Sequence, residues 1–287
     1  TKRAETTNTG FNVVGALTIN GSPLAGGVSS DAQENTVGGT NAGDSFSGTD
    51  ATDNTLFGFN AGTAITTGDN NTAFGHDAFK TSTNGAENAA FGKEALKSCT
   101  SGQTNTAIGY RALQTCTTGG TNVAVGHAAL NYLTTASQNV AVGTYAGTRI
   151  TTGHSNVVMG HNAGQRITSA ESCTLIGHNA GESLETTGKV TAIGWNAAPD
   201  LVTSFIGSVF IGERAGYKIN TCGGDVMIGA QSGYNSTSTG SNDANTFVGA
   251  YTGWTNTTGQ ENTYIGRGAG YTGSTAYYNT CVGWNAG

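Results

Sequence analysis

Asn105-Thr-Ala-Ile-Gly-Tyr-Arg-Ala-Leu113 has a copy 17 residues earlier, Asn88-Ala-Ala-Phe-Gly-Lys-Glu-Ala-Leu96, and another 17 residues later, Asn122-Val-Ala-Val-Gly-His-Ala-Ala-Leu130. A fixed short period is the mark of a solenoid, in which each repeat buries its apolar face only against its neighbours. Each copy is marked by the glycine that closes its short apolar run. These glycines number 15, the first being Gly39, Gly58, Gly75, Gly92 and Gly109 and the last Gly249, Gly266 and Gly283. From Gly58 to Gly194 every spacing is 17; the first is 19, and the later ones are 18, 17, 20, 17 and 17. The expected fold is all-β: a parallel β-solenoid of about 15 rungs over residues 35–287, about 70 Å long at about 4.8 Å per strand.

Aligned by the marker, the columns assign roles. Asn stands four before it in 11 of the 15 rungs (Asn105, Asn122), in position to pair amides from rung to rung. The residue just before it is apolar in all rungs but the first (Phe57, Phe74, Ile108, Val125) and is expected to form the core ladder. Thr or Val two residues further back is expected on the same inward face. The marker glycines, Gly109 and Gly126 among them, are expected at backbone angles closed to other residues. Ala three after the marker, as at Ala112 and Ala129, fits a tight corner. Seven after the marker runs a second inward column (Ile65, Ser82, Cys99, Cys116, Leu133), expected on a second short strand that turns back at Thr-Thr-Gly.

The position two before the marker should then point outward, yet it is apolar: Ala73, Ala90, Ala107, Ala124 and Ala141, then Phe210, Met227, Phe247 and Tyr264. Strands apolar on both faces are covered on both faces. A thin 17-residue rung also gains from lateral association. A homotrimer is expected, with the chains separating or repacking toward the C-terminus where Ala gives way to larger residues. Residues 1–34 break the period. Phe11–Ile19 reads as a strand, Asn20-Gly21 as a tight turn and Ser22-Pro23-Leu24 as the start of a return strand. Together they make a β attachment or capping segment, joined to the repeats by a linker at 25–34.

Composition excludes more than it assigns. The chain has 287 residues, with 46 Gly, 2 Pro, 10% charged residues and a net charge of −6. No basic footprint for nucleic acid exists, and no apolar run is long enough to span a membrane. Five cysteines without a Cys-x-x-Cys pair suggest neither a disulfide framework nor zinc. Cys99 and Cys116 read as small buried thiols one rung apart.

His76, His127, His161 and His178 all follow a marker glycine, but their column also holds Phe59, Lys93, Tyr110, Thr144 and Trp195. Such tolerance marks a solvated surface, so no metal is expected. Asp77 and Glu94 share a column, as paired acids for glycoside cleavage would need, and Arg111 follows. A surface charge ladder is the expectation, and no catalytic residue or cofactor is assigned. Asp44, Asp50 and Asp53 read as an acidic loop, because the glycine-rich calcium repeat is absent. Surface aromatics are the candidate glycan or receptor contacts: Trp195, Tyr251, Trp254, Tyr271 and Trp284, near the 18- and 20-residue spacings where extra loop length falls. An ice-binding Thr face is disfavoured while the Thr column is expected inward.

The pentapeptides Asn105-Thr-Ala-Ile-Gly109 and Asn139-Val-Ala-Val-Gly143 resemble the head repeats of trimeric autotransporter adhesins, which form left-handed parallel β-rolls in a trimer. The longer unit, ending in Thr-Thr-Gly, more closely resembles repeats of bacteriophage tail-fibre proteins, many of which carry a self-cleaving chaperone domain. Gly15-Ala-Leu-Thr-Ile-Asn-Gly-Ser-Pro23 is similar to segments of such fibres. The resemblance covers residues 35–287 well and 11–24 loosely, and neither a membrane-anchor barrel segment nor a chaperone domain accompanies it. It implies a left-handed trimeric shaft of a phage tail or virion fibre that projects or contributes to host attachment. At the uncapped rung Trp284-Asn-Ala-Gly287 the expectation is either that a C-terminal part was removed or that other fibre subunits cover the solenoid end. The alternative expectation is a cell-surface or filament-forming adhesin that binds host glycans.

Overall fold

The computed structural model describes residues 5–7, 10–12, 18–19, 22–23, 28–46, 50–186, 188–204, 207–237 and 244–287. No helix occurs among them. Fifteen three-residue strands, from Thr36–Gly38 to Thr280–Val282, lie parallel in one sheet. Each is one coil further along, so Thr106, Ala107 and Ile108 pair with Val123, Ala124 and Val125. The chain is a β-solenoid of fifteen strands joined by fourteen coils.

The expected linker at 25–34 is not a free linker throughout. Val28–Ser30 pairs antiparallel with Thr36–Gly38 and forms the sixteenth strand, laid over the first rung. Thr18–Ile19 pairs antiparallel with Ser22–Pro23, as a turn at 20–21 requires. The run expected as one strand from Phe11 to Ile19 contributes to two separate pairs, since Gly10–Asn12 pairs with Glu5–Thr7. Residues 13–17, 20–21 and 24–27 lie outside the described residues.

The pleat runs opposite to the expectation from residue size. Ala73, Ala90, Ala107 and Ala124 are completely buried, whereas Phe74, Phe91 and Ile108 are 38%, 38% and 42% exposed. Ile108 and Val125 therefore belong to an outer column, and the Thr or Val at the other end of each strand shares that outer face. The reason is room inside a narrow coil. In four of the six rungs whose inward strand residue is Ala, the residue four after the marker is large: Phe79, Leu96, Leu113 and Leu130 are all fully buried, whereas Ala141 faces Gly147 and Ala192 faces Ala198. Where the inward residue is large, that position is glycine. A Cβ on Gly216 would stand 2.6 Å from Phe210, and one on Gly253 the same distance from Phe247. Large against small thus keeps the filled volume of most rungs nearly constant, as close packing demands. The change from Ala to Phe, Met and Tyr toward the C-terminus is repacking within each coil, not a response to neighbouring chains.

The second expected strand is mostly turn. Among the described residues only Thr203–Ser204 and Thr221–Cys222 pair there as strand. The backbone turns left-handed at several positions per coil, for example φ 57° at Arg111 and 51° at Leu113, which an extended strand cannot do. Its amides still bond up the stack: Leu113 N–H donates to Ala129 O at 3.0 Å and Thr117 N–H to Thr134 O at 2.8 Å. The inward column of Ile65, Ser82, Cys99, Cys116 and Leu133 is buried as expected. The Cys99 and Cys116 thiols are free and donate to Gly102 O and Gly119 O.

The Asn column forms a continuous ladder from Asn35 to Asn156 and resumes at Asn245. Asn122 Nδ2 donates to Asn105 Oδ1 and to Ala136 O, and its Oδ1 accepts from Asn139 N–H and Nδ2. Asp225 holds the same place, and its Oδ1 accepts from Asn245 N–H and Nδ2. Its Oδ2 is buried without a well-formed hydrogen bond. Burial pushes this carboxyl above its ordinary value of 3.8, against the lowering influence of the Asn245 donors and the Gly223 amide. A raised folded-state value gives stability that is fully present below 3.8 and is lost as pH rises through the folded-state value. Asp225→Asn is therefore expected to melt higher than the parent at pH 7, with the gap closing toward pH ~4. Parallel thermal melts across that range check it, and a gap that stays constant or widens in acid would refute it.

Candidate functional site

Three of the five aromatic candidates come together, with two partners the sequence reading did not include. Tyr217, Tyr234, Trp254 and Tyr271 each stand five after a marker glycine and stack along the solenoid. Their ring centroids are 4.9, 4.5 and 6.1 Å apart, with planes within 11° of parallel. Tyr251 leans on Trp254 at 5.7 Å. Trp195 sits at the other end of this series, with the Arg214 guanidinium 4.4 Å over its ring and 5.7 Å from that of Tyr217. Trp284 makes no ring contact among the described residues and is 72% exposed.

This geometry limits what the column offers a sugar. Rings stacked face to face at the rung spacing spend their faces on one another and leave their edges to solvent. Carbohydrate stacking needs a free face, and within the series the faces of Tyr234 and Trp254 are covered on both sides. Trp195, half-covered by Arg214, and Trp284 keep more ring surface. Tyr271 also borders an open hollow of about 320 Å³ with Gly268, Thr272 and Asn285. The same stacking occurs in the outer strand column, where Phe57, Phe74 and Phe91 repeat at 5.0 and 5.3 Å. Regular stacking is thus a general consequence of the coil and needs no ligand to explain it.

The acidic pair forms a ladder more buried than expected. Asn41 Nδ2 donates to Asn60 Oδ1 and Asn60 Nδ2 to Asp77 Oδ1, each at 2.9 Å. Lys80 and Lys97 approach Asp77 at 3.2 and 3.3 Å. Glu94 accepts from Arg111 Nε and from Gln114 Nε2 at 2.7 Å each. Burial pushes the Asp77 carboxyl up, but Asn60, Lys80 and Lys97 together outweigh it and hold it at about 2. The Arg111 hydrogen bond holds Glu94 low as well. Glycoside cleavage needs one carboxylic acid that keeps its proton near neutral pH, and neither of these does.

His161 and His178 stack at 5.2 Å, and no group of three or more metal-ligating side chains occurs among the described residues. Asp44, Asp50 and Asp53 are exposed. The Thr column faces outward, which removes the objection to a solvent-facing Thr ladder. It is nevertheless interrupted by Ala89 and by Val at 123, 140, 157, 209 and 226, and bulky Phe rings flank part of it, so no uniform hydroxyl grid results. No helix among the described residues is long and apolar enough to cross a membrane.

No protein-family model, no curated protein and no solved structure matches the chain.

Proposed function

We propose that this chain is the shaft of an extracellular fibre, of the kind carried by a phage tail or virion, and that it assembles laterally as a homotrimer. The observation that carries the proposal is the outer strand column. From Phe57 to Val282 every rung places an apolar residue there, and Phe74, Phe91, Ile108, Met159 and Ile265 are each 37–42% exposed. A contiguous apolar stripe along a rod is the kind of surface that other chains cover. Three such stripes meeting on one axis would bury it along the whole shaft. A rod of stacked coils, whose turns are bonded as firmly as its strands, suits a spacer that holds a receptor-binding part away from a particle.

Sedimentation at micromolar concentration is expected to give a trimer, and the triple change Phe74→Lys, Phe91→Lys, Ile108→Lys to give folded monomer. A parent chain that sediments as a monomer would sink the shaft reading. Immunogold labelling separates it from the alternative, a cell-surface adhesin: particles carry the label in the first case and cells in the second.

A further inference from the structure

Two after the marker glycine, successive rungs carry Asp77, Glu94, Arg111, Ala128, Tyr145 and Asn162. At Ala128 alone in this series the side chain shrinks to a methyl group, and a cavity of about 310 Å³ opens between Arg111 and Tyr145. Its floor is polar and buried. Asn131, 6% exposed, donates through Nδ2 to Arg111 O and Gln114 Oε1, while its Oδ1 takes no hydrogen bond among the described residues. Thr148, 7% exposed, donates to Ala128 O. The walls are aromatic and cationic. Tyr132 is 54% exposed and in contact with no other ring among the described residues. At Tyr145 the parallel stacking breaks, since the planes of His127 and His161 meet its own at 84° and 76°.

The charge around this cavity opposes that of the whole chain. The chain is net −6, yet the lining holds Arg111 and Arg149 and no carboxylate. The Arg149 guanidinium pairs with no acid among the described residues. Arg111 donates through Nε to Glu94 at 2.7 Å, and its guanidinium lies 4.8 Å over the Tyr110 ring. A planar guanidinium matches a carboxylate through two parallel hydrogen bonds. An unstacked tyrosine ring offers an apolar platform for a sugar face, and Asn131 Oδ1 can accept from a sugar hydroxyl. No residue of the outer apolar stripe lines the cavity, so burying that stripe does not itself consume this site.

We infer that the hollow over Ala128 is a binding subsite for a saccharide bearing a carboxylate. Arg149, with Arg111 beside it, takes the carboxylate, and Tyr132 and Tyr145 take the ring. Asn131 fixes a hydroxyl at the floor. The site is open and shallow, so one sugar residue binds with a dissociation constant on the order of 1 mM. This deepens the host-attachment part of the proposed function and fails separately from it. A trimer that binds no acidic sugar loses only the subsite, and a monomer that binds one loses only the shaft.

The test is calorimetric or saturation-transfer titration of the full chain with sialyllactose and with glucuronate and galacturonate oligosaccharides, each beside its carboxyl-reduced neutral counterpart. At least one acidic sugar is expected to bind about tenfold or more better than its reduced form. Arg149→Gln should abolish that preference. Ala128→Gln should fill the cavity and abolish binding with the melting curve unchanged, because Gln231 occupies the same column with the same left-handed backbone. The inference is overturned if no acidic sugar binds at 10 mM on the scale set above, if reduced sugars bind equally well, or if binding survives both substitutions.

Discussion

Gly109→Ala is expected to cost at least about 3 kcal/mol and to split the solenoid near its middle. The marker glycine stands at φ 133°, where an L side chain is strained whatever the space. A Cβ there would also lie 2.5 Å from Gly126 O and 2.7 Å from its carbonyl carbon. Both obstacles are backbone. Gly126 in turn stands over Gly143 in the same relation, so no rung can move aside without moving the next. In a stacked array stability is close to a sum of rung terms and neighbour terms. The loss should therefore appear as weakened coupling at one place. Hydrogen exchange is expected to show amides of the rungs at Gly92, Gly109 and Gly126 losing protection while distant rungs keep theirs. Gly273→Ala is the control: its added Cβ meets only ordinary contacts at 3.6 Å and no left-handed backbone, so its effect should stay within about 0.5 kcal/mol. A Gly109→Ala chain that melts with that control would remove the argument.

The period, the parallel stacking and the Asn ladder were legible because each is a property of spacing, and spacing is what a repeat displays. The facing of the strand was not. Both columns of a strand such as Thr106-Ala-Ile108 are apolar, and the ordinary preference for burying the larger side chain points the wrong way in so narrow a coil. The distinguishing sign was present but lay across the rung: Ala107 goes with Leu113, and Phe247 with Gly253. Only residues that share one interior trade volume in this way. The outward apolar stripe survives this correction with its columns exchanged, so the reason to expect lateral association is transferred from Ala107 to Ile108. The candidate site was legible only in part. The aromatics near the C-terminus are conspicuous as residue types, but aligning them by rung is what shows that Tyr217, Tyr234, Trp254 and Tyr271 stack on one another. The hollow over Ala128 announces itself by a missing side chain, which a search for chemically active residues passes over.

Asn122→Leu should be nearly as damaging as the glycine change although it keeps the number and branching of the side-chain heavy atoms. Asn122 is fully buried, and its amide serves four groups in successive rungs. Leucine would leave the Asn139 N–H without its acceptor at 3.0 Å and the Ala136 carbonyl without its donor. Each orphaned buried group costs about 1–3 kcal/mol, so a loss of about 3 kcal/mol is expected. Asn122→Asp separates the two halves of that cost. Its Oδ1 still accepts from Asn139, as Asp225 Oδ1 does from Asn245, but no donor faces Ala136 O unless the carboxyl is protonated. The Asp variant should therefore approach the parent in mild acid and fall toward the Leu variant at neutral pH, whereas the Leu variant should differ from the parent by the same amount throughout. Chemical denaturation of the three chains across that range decides the matter. A Leu variant as stable as the parent would mean that the ladder follows from the stacking of the coils and does not hold them together.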